Sequence, residues 1–348
     1  MVLAACSAGV DDGGDKNLEV VRWASSTPIF GPEIAMYTSL PQELGYFEDE
    51  GIEVKFQNLA GGAAASQAVA SGQADFSTTG NVPFFKAVNN GFDLVGVCAN
   101  YPSFLNSPAV PEDSPIKSLK DLEGTTLGVV SLEATSIPWV KAMVKQDGGD
   151  PSTIKFVSTG LGAPAIAALE SGRVDGLALW NGPYGSIEAA GVPLRKLESD
   201  EFNKLRLGSI IITNRKLAEE KPDVIVGLGR AYAKGSVFAA ANPEAALRIH
   251  WKVYPESKPT GVSDKKAVEQ GLVVMEQALE DAKPPEGQQW CDILPEDASV
   301  LQKVLMDADI LDKAIDVDKY ILNDMNDEMN DFDADEIRQQ AEDYKVTK

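Results

Sequence analysis

The chain has 348 residues, of which 44% are hydrophobic, and its formal net charge at pH 7 is −22. This length accommodates two domains of ordinary size, and the hydrophobic fraction is normal for a globular protein. The negative charge argues against nucleic-acid binding, because nothing offsets the repulsion from phosphates, and it disfavours binding to anionic membrane surfaces. No apolar run reaches the length of a membrane-spanning helix.

The N-terminal segment resembles a bacterial lipobox, in which an aliphatic and two small residues precede a lipid-modified cysteine, here Cys6. A basic region and a full apolar region are missing before it, so Met1 is interpreted as a start within a trimmed signal peptide. Residues 7–16 are rich in Gly and Asp and are typical of a flexible tether. We expect residues 1–17 to be a signal remnant and tether, with Cys6 as the lipid attachment site. The alternative is a terminal segment without function.

The next part of the chain predicts alternating strands and helices. Residues 52–56 alternate between apolar and polar side chains, as in a half-buried strand, and Pro32 suits a first helical turn. The predicted strands are 18–23, 52–56, 74–78 and 94–99, and the predicted helices are 32–44 and 83–90.

Four prolines within residues 100–115 mark a crossing into a second lobe. Strands are then predicted at 126–130, 154–158, 176–179 and 207–213, with a helix at 139–146, and the chain from residue 216 onwards is helical. This alternation indicates mainly parallel α/β sheets. We expect one lobe from residues 18–103 plus 209–348 and another from residues 104–208. Two connections between lobes make a hinge.

An internal repeat supports this division. Ser71–Asp75 reads Ser-Gly-Gln-Ala-Asp and recurs as Ser-Gly-Arg-Val-Asp at Ser171–Asp175. Each copy has a Gly-rich turn and a small-residue helix before it and a short strand and polar loop after it. Two equivalent units indicate facing loops and a cleft for a small molecule. The Ser-Gly-x-x-Asp segments themselves are predicted to be structural, with glycine at a left-handed helix end and aspartate in a turn.

The segment Leu44–Val54, which reads LGYFEDEGIEV, resembles one found in a family of ABC-transporter solute-binding proteins. That family serves alkanesulfonates, taurine, nitrate, phthalate-type aromatics and pyrimidine precursors of thiamine. The repeats are similar to it as well, and Trp180–Pro183 stands where many members have Trp-Glu-Pro. The resemblance covers residues 18–216. It implies the type II periplasmic-binding-protein fold, with two α/β lobes, a two-strand hinge and here a helical C-terminal region.

The binding site is predicted beyond the carboxyl ends of the strands, where helix N-termini point. Small residues there let a ligand reach backbone N–H groups, hydroxyl and amide side chains offer hydrogen bonds, and aromatic rings offer flat surfaces. The predicted ligand-binding residues are Thr27, Phe30, Gly31, Gly62, Ala63, Thr79, Asn81, Ser131, Glu133, Thr135, Trp180 and Asn181.

Several of these residues have plainer interpretations. Trp180 could pack between lobes, Glu133 could be a solvated charge or helix cap, and Gly62 could be an ordinary loop glycine. Trp139, in a predicted helix, is interpreted as core. No lysine or arginine lies in residues 27–31, 78–81 or 131–136, which favours an aromatic or heterocyclic ligand with few charges.

The remaining reactive residues predict no catalytic or metal site. The three cysteines lack metal-ligand spacing, and His250 is the only histidine. Cys98 is interpreted as a small buried residue, and pairing with Cys291 stays open. Residues 331–342 mimic calcium-loop spacing, but Glu336 occupies the position that needs glycine, so an acidic helix start is favoured.

The resemblance leaves functional alternatives. The same fold hosts a self-sacrificing pyrimidine synthase and menaquinone-pathway enzymes, but no nucleophile–base pair is recognisable here. A receptor domain that senses without transport is the third possibility. We expect a lipid-anchored, extracytoplasmic, monomeric receptor that binds a small molecule and a membrane permease, with no cofactor or metal.

Overall fold

The computed structural model describes residues 18–59, 61–104 and 106–345. Residues 1–17, with Cys6 and the predicted tether, lie outside this part. The described chain forms two five-stranded sheets and a helical C-terminal region. The strands are β1 (Glu19–Ser25), β2 (Ile52–Asn58), β3 (Phe76–Gly80), β4 (Leu94–Ser103), β5 (Asn106–Pro111), β6 (Thr126–Val129), β7 (Lys155–Ser158), β8 (Gly176–Trp180), β9 (Leu194–Lys196) and β10 (Arg206–Asn214).

The two sheets share one topology. The first sheet has the order β2-β1-β3-β10-β4 and the second has the order β7-β6-β8-β5-β9. In each sheet the first three strands are parallel, and the fourth is antiparallel to both of its neighbours. The chain passes between the sheets twice, from β4 to β5 and from β9 to β10. Every predicted strand is present, with shifted ends.

The crossing between the sheets lies within residues 100–115, where the sequence predicts it. The crossing is short, because β4 continues to Ser103 and β5 begins at Asn106. The prolines do not break β5, because Pro108 precedes its ladder to β9 and Pro111 follows the end of its ladder to β8. A proline is tolerated where one side of a strand needs no hydrogen bond.

Helices cover both sheets and form the region after β10. The α-helices of the described residues are α1 (Ser39–Glu43), α2 (Tyr46–Asp49), α3 (Gly62–Ala70), α4 (Asn81–Asn89), α5 (Ser136–Gln146), α6 (Ala163–Glu170), α7 (Asn181–Ala189), α8 (Arg215–Glu220), α9 (Pro222–Ala241), α10 (Pro243–Val253), α11 (Asp264–Ala282), α12 (Pro295–Asp307), α13 (Val317–Tyr320), α14 (Asn326–Met329) and α15 (Ala334–Asp343). Short 3₁₀ helices lie at Pro32–Tyr37, Lys120–Leu122, Pro151–Thr153, Phe202–Lys204 and Pro255–Ser257.

The predicted helix 32–44 is divided in two. Pro32 does open a helix, but its first part is the 3₁₀ helix Pro32–Tyr37, and α1 follows after a break at Thr38. The Thr38 hydroxyl donates to the carbonyl of Ile34 at 2.7 Å, which satisfies a backbone group at the end of the 3₁₀ segment. This break turns the first part of the helix towards the space between the sheets.

The repeated segment builds the same joint in both sheets. Gly72 and Gly172 end α3 and α6 in the left-handed region, with φ of 75° and 67°. The Asp75 N–H donates to the Arg22 carbonyl at 2.8 Å, and the Asp75 carboxylate accepts from the Arg22 N–H at 2.8 Å. Asp175 makes the same pair of bonds with Thr126, both at 2.8 Å. The repeat is therefore structural, as predicted, and ties the start of β3 to β1 and the start of β8 to β6.

A disulfide joins the first sheet to the C-terminal region. Cys98 of β4 is bonded to Cys291, and both are buried. The Ala99 N–H also donates to the Cys291 carbonyl at 3.1 Å. Cys98 is thus the small buried residue that the sequence predicts, and the open question of its pairing is answered.

The other chemical expectations fall within the helical region or the core. Trp139 is fully buried in α5, as predicted. The Asp333 carboxylate accepts from the N–H groups of Asp335 and Glu336 at 2.9 and 3.2 Å, so it caps α15. The acidic C-terminal segment therefore starts a helix.

Candidate functional site

A cavity of about 270 Å³ lies between the two sheets. Its walls combine loops of the first sheet, the 3₁₀ helix Pro32–Tyr37, the hinge strands and the loop after β6. The described residues that line it are Ser26, Thr27, Pro28, Glu33, Ile34, Tyr37, Gly61, Gly62, Thr78, Gly80, Tyr101, Asn106, Val130, Ser131, Glu133, Ala134, Thr135, Ser136, Trp180, Gly208 and Ser209.

At two points the opposite walls of the cavity lie close together, and the residue on one side of each point is a glycine. A Cβ atom on Gly80 would lie 3.3 Å from Oγ1 of Thr135, on the opposite wall. A Cβ atom on Gly182 would lie 3.6 Å from Cβ of Glu33. The small residues therefore set the gap between the sheets at these two points.

Half of the predicted binding residues lie on the cavity wall. These residues come from both sheets, and they include the only tryptophan of the predicted set. They are Thr27, Gly62, Ser131, Glu133, Thr135 and Trp180. Thr27 is positioned by its own turn, since its hydroxyl donates to the Ile29 carbonyl at 2.9 Å.

The other six predicted residues lie outside the wall. Phe30 packs on Tyr254, with ring centroids 4.6 Å apart, and also contacts Phe56. Gly31 lies against the carboxylate of Glu33, where any side chain would clash. Ala63 is exposed on α3. These residues support the wall or flank it, and a ligand contact for them stays a prediction.

Thr79 and Asn81 are fully buried behind the wall. The Thr79 hydroxyl donates to the Gly62 carbonyl at 3.2 Å. The Asn81 amide donates to the Leu207 carbonyl at 2.9 Å and accepts from Trp139 Nε1 at 3.1 Å. Asn81 therefore links α4, the hinge strand β10 and α5, and its hydrogen-bonding capacity is used within the protein.

Asn181, at the start of α7, connects to the C-terminal region instead. Its amide donates to the carboxylate of Asp281 at 2.9 Å and accepts from Lys196 Nζ at 3.1 Å. Asp281 also accepts from Gln277 at 3.1 Å. Burial raises the pKa of Asp281 to about 6. This network fastens α7 of the second sheet to α11.

Sequence reasoning missed eight residues of the wall that have polar or aromatic side chains. They are Ser26, Glu33, Tyr37, Thr78, Tyr101, Asn106, Ser136 and Ser209. One signal was available, because Glu33 follows directly on the predicted loop 27–31 at a helix start. Tyr101 and Asn106 flank the crossing between the sheets. Nothing in their neighbouring sequence indicated that these two residues would line the cavity.

Four helices begin at or beside the cavity, and none of their N-termini is capped by a side chain. They are α3, α4, α5 and α7. The first N–H groups of a helix have no partner within the helix, and they carry a partial positive charge. Helices α8, α10, α11 and α15 are capped by Asn, Ser or Asp, whereas α6, α9 and α12 also lack a side-chain cap. The uncapped ends leave backbone donors for a bound molecule.

Among the acids on the wall, Glu33 is the residue whose carboxyl pKa is clearly shifted. Its backbone carbonyl accepts a hydrogen bond from the Tyr101 hydroxyl. Among the described residues, no cation forms an ion pair with its carboxylate, and no other residue's side chain donates to it. Burial raises the pKa of Glu33 to about 7. An acid of this kind changes charge near neutral pH.

His250 lies behind the first cavity loop. Its Nδ1 atom is 2.8 Å from the Ser39 hydroxyl, and its Nε2 atom is 3.1 Å from the Phe30 carbonyl. Burial lowers the pKa of His250 to about 4, so the ring is neutral. With Nε2 protonated it donates to Phe30 and accepts from Ser39. His250 therefore holds the loop in place and is absent from the cavity wall.

The described residues offer little for a metal or a membrane span. No group of three or more His, Cys, Asp or Glu side chains within residues 18–59, 61–104 and 106–345 is arranged to hold a metal ion. In the same ranges, no helix combines the length and apolar character needed to cross a membrane.

Comparison with known proteins identifies the family. Residues 35–246 match the family described as NMT1/THI5 like. A Bacillus subtilis (strain 168) protein named for binding aliphatic sulfonates is 26% identical over 278 residues, which covers 78% of each chain. The formylaminopyrimidine-binding protein of Halalkalibacterium halodurans is 28% identical over 218 residues, covering 60% of this chain and 63% of its own.

The solved structures that this fold resembles include a protein of the same kind. The crystal structure of the periplasmic aliphatic sulphonate binding protein SsuA from Escherichia coli matches 87% of this chain and 92% of its own, with a TM-score of 0.65 and 20% identity. This match confirms the predicted α/β fold with two lobes and a helical C-terminal region. Because the family match spans more than half of the chain, this protein belongs to the NMT1/THI5-like family and has a periplasmic-binding-protein fold.

Proposed function

We propose that this chain is the solute-binding receptor of an ABC importer and captures a small organic molecule between its two lobes. The observation that carries the proposal is the cavity at the seam, whose wall is supplied by both sheets and by uncapped helix ends. Sites of this kind are concave, mostly apolar and equipped with a few convergent polar groups.

The lobes that close on the ligand are residues 18–103 plus 209–348 and residues 104–208. The chain passes from β4 to β5 at the first boundary, and the second boundary falls within β10, which begins at Arg206, so one lobe can rotate against the other about two strands. Closure is favoured by contacts that a ligand makes only when both walls are in place. Thr135 and Trp180 in the second wall and Thr27 and Gly62 in the first are placed for such contacts.

The receptor works outside the cytoplasm as a monomer on a lipid anchor at Cys6, and its partner is a membrane permease. The disulfide between Cys98 and Cys291 supports this location, because such bonds persist in oxidising compartments. Two relatives named for sulfonate and formylaminopyrimidine binding support a small organic ligand.

The receptor does not transform its ligand. Among the described residues of the cavity wall there is no Cys, His, Lys or Arg. Cys98 and Cys291 are joined to each other, and His250 is occupied by Ser39 and Phe30. Nucleophilic catalysis needs an activated nucleophile beside a base, and the wall supplies no such pair.

The test is a thermal-shift panel of sulfonates, aromatic acids and pyrimidines, followed by small-angle scattering with each compound that raises the melting temperature. A ligand stabilises the protein according to its concentration and affinity, and closure reduces the radius of gyration. We expect Trp180→Ala to weaken binding by about tenfold or more, because a flat contact in the cavity is lost.

Trp290→Ala is the matched control, since Trp290 is partly buried and packs on Tyr232 outside the cavity. It should leave affinity unchanged. Equal affinity in wild type and Trp180→Ala would overturn the site assignment, and conversion of a bound compound into a product would overturn the receptor role in favour of an enzyme.

A further inference from the structure

We propose that the ligand carries a positively charged nitrogen, an ammonium or amidinium group, which binds the carboxylate of Glu33. This inference rests on the proposed receptor function and specifies its substrate class. It departs from the sulfonate named for two of the similar proteins.

The charges on the cavity wall all have one sign. Of the described residues that line the cavity, Glu33 and Glu133 carry carboxyl groups, and none is Lys, Arg or His. Glu133 is exposed, whereas Glu33 is half-buried. A solely anionic ligand would bring a second negative charge next to Glu33 without a cation to compensate it.

The surroundings of Glu33 are suited to a cation. Tyr37, Tyr101 and Trp180 line the same cavity, and the faces of aromatic rings attract cations. Gly31 has no side chain, which leaves room for the Glu33 carboxylate beside it. Among the described residues no cation forms an ion pair with the Glu33 carboxylate, and burial raises the pKa of its carboxyl group.

Asn106 adds a polar side chain to the cavity wall. It is only 8% exposed and it lines the cavity, so its side-chain amide is within reach of a bound molecule. A ligand with polar groups can hydrogen-bond to this amide. An amide oxygen accepts from an N–H group as readily as its nitrogen donates.

The uncapped helix ends do not contradict a cation. Each end carries about half a positive charge that acts only over its first turn, so it can bind an acceptor group elsewhere on the ligand. A ligand can therefore also bear acceptor groups, but it needs the positive nitrogen.

The experiment compares benzamidine, benzamide and benzenesulfonate, three probes with one ring and a cationic, neutral or anionic group. Titration calorimetry at pH 7, in two buffers with different ionisation enthalpies, measures affinity and proton release together. Tyr37 and Tyr101 face Glu33, but burial raises the pKa of both hydroxyls far above neutral pH. Asp281, which interacts electrostatically with Tyr101, has a pKa of about 6 and is mostly ionised at pH 7. Most of the proton released on binding therefore comes from Glu33.

We expect benzamidine to bind at least about tenfold more tightly than benzamide, with release of about half a proton at pH 7. Glu33→Gln should abolish both the preference and the release. Glu188→Gln removes one charge from the exposed side of α7 outside the cavity, and it should change neither.

Two outcomes overturn the inference. One is tighter binding of benzenesulfonate than of benzamidine, and the other is no benzamidine binding at millimolar concentration. The receptor proposal fails separately, when no compound of the wider panel binds between the lobes. Sulfonate binding with lobe closure would leave the receptor role intact and reject only the cationic ligand.

Discussion

The two repeat units are built alike and used differently. Residues 71–75 and 171–175 end a helix with a left-handed glycine and tie the next strand to its neighbour through an aspartate. The residues that precede and follow them have diverged in role. Gly62 lies on the cavity wall, whereas the glycines before α6 do not. The repeat therefore specifies the backbone joint, but it does not specify which nearby residues line the cavity.

The two equivalent asparagines show the difference most clearly. Asn81 is fully buried and joins three elements around the hinge. Asn181 occupies the same position after β8 but binds Asp281 of α11. The first asparagine therefore stabilises the core between the sheets, and the second fastens the second lobe to the C-terminal region.

Removal of these two side chains should have unequal effects. We expect Asn81→Ala to lower the free energy of unfolding by about 3 kcal/mol, because it leaves a buried carbonyl and the Trp139 N–H unpaired. Asn181→Ala should cost about 1 kcal/mol, since Asp281 keeps its bond from Gln277. Urea denaturation of both variants measures the difference, and equal losses would contradict the assigned roles.

The acids of the two walls should also differ. The pKa of Glu33 is about 7 in the folded protein against an ordinary 4.5, so the folded state binds more protons between these values. Stability then falls as pH rises through this interval. Glu33→Gln should raise stability by about 2 kcal/mol at pH 8 and by little at pH 4.5.

Glu133→Gln is the comparison for this prediction, because Glu133 is exposed on the other wall. Its effect should stay within about 0.5 kcal/mol at both pH values. Unfolding midpoints in denaturant at pH 4.5 and 8 provide the measurement. A pH-independent effect of Glu33→Gln would show that its carboxyl group is not desolvated.

The aspartates of the repeat should give a smaller contrast. Asp75→Ala is expected to cost about 2 kcal/mol, since Asp75 accepts from both the N–H and the guanidinium of Arg22. Asp175→Ala should cost about 1 kcal/mol, because its partner Thr126 offers only the N–H. Thermal unfolding separates the two, and a larger loss for Asp175 would refute this ordering.

The glycines of the repeat should show the smallest effect and no contrast. Gly72→Ala and Gly172→Ala each place a side chain in the left-handed region at the end of a helix. We expect each to cost about 1 kcal/mol. Melting temperatures that differ strongly between the two variants would mean that the joints are not equivalent.

The sequence predicted the scaffold because its signals are local. Strand alternation, the opening proline at residue 32 and the Ser-Gly helix ends depend on neighbours within one turn or strand. The strand β5 was missed for the same reason, since whether Pro108 needs a hydrogen bond depends on where the ladder to β9 starts. Trp180 was placed on the wall because it follows a strand end.

By itself the sequence determined the α/β class, the repeated units and the family. The tertiary structure decided which polar residues line the cavity. Asn81 is buried and bonded to Leu207 and Trp139, which are distant in the chain, whereas Asn106 lies on the cavity wall. Whether a polar group is free for a ligand depends on which distant atoms satisfy it, and that is known only when the chain is folded.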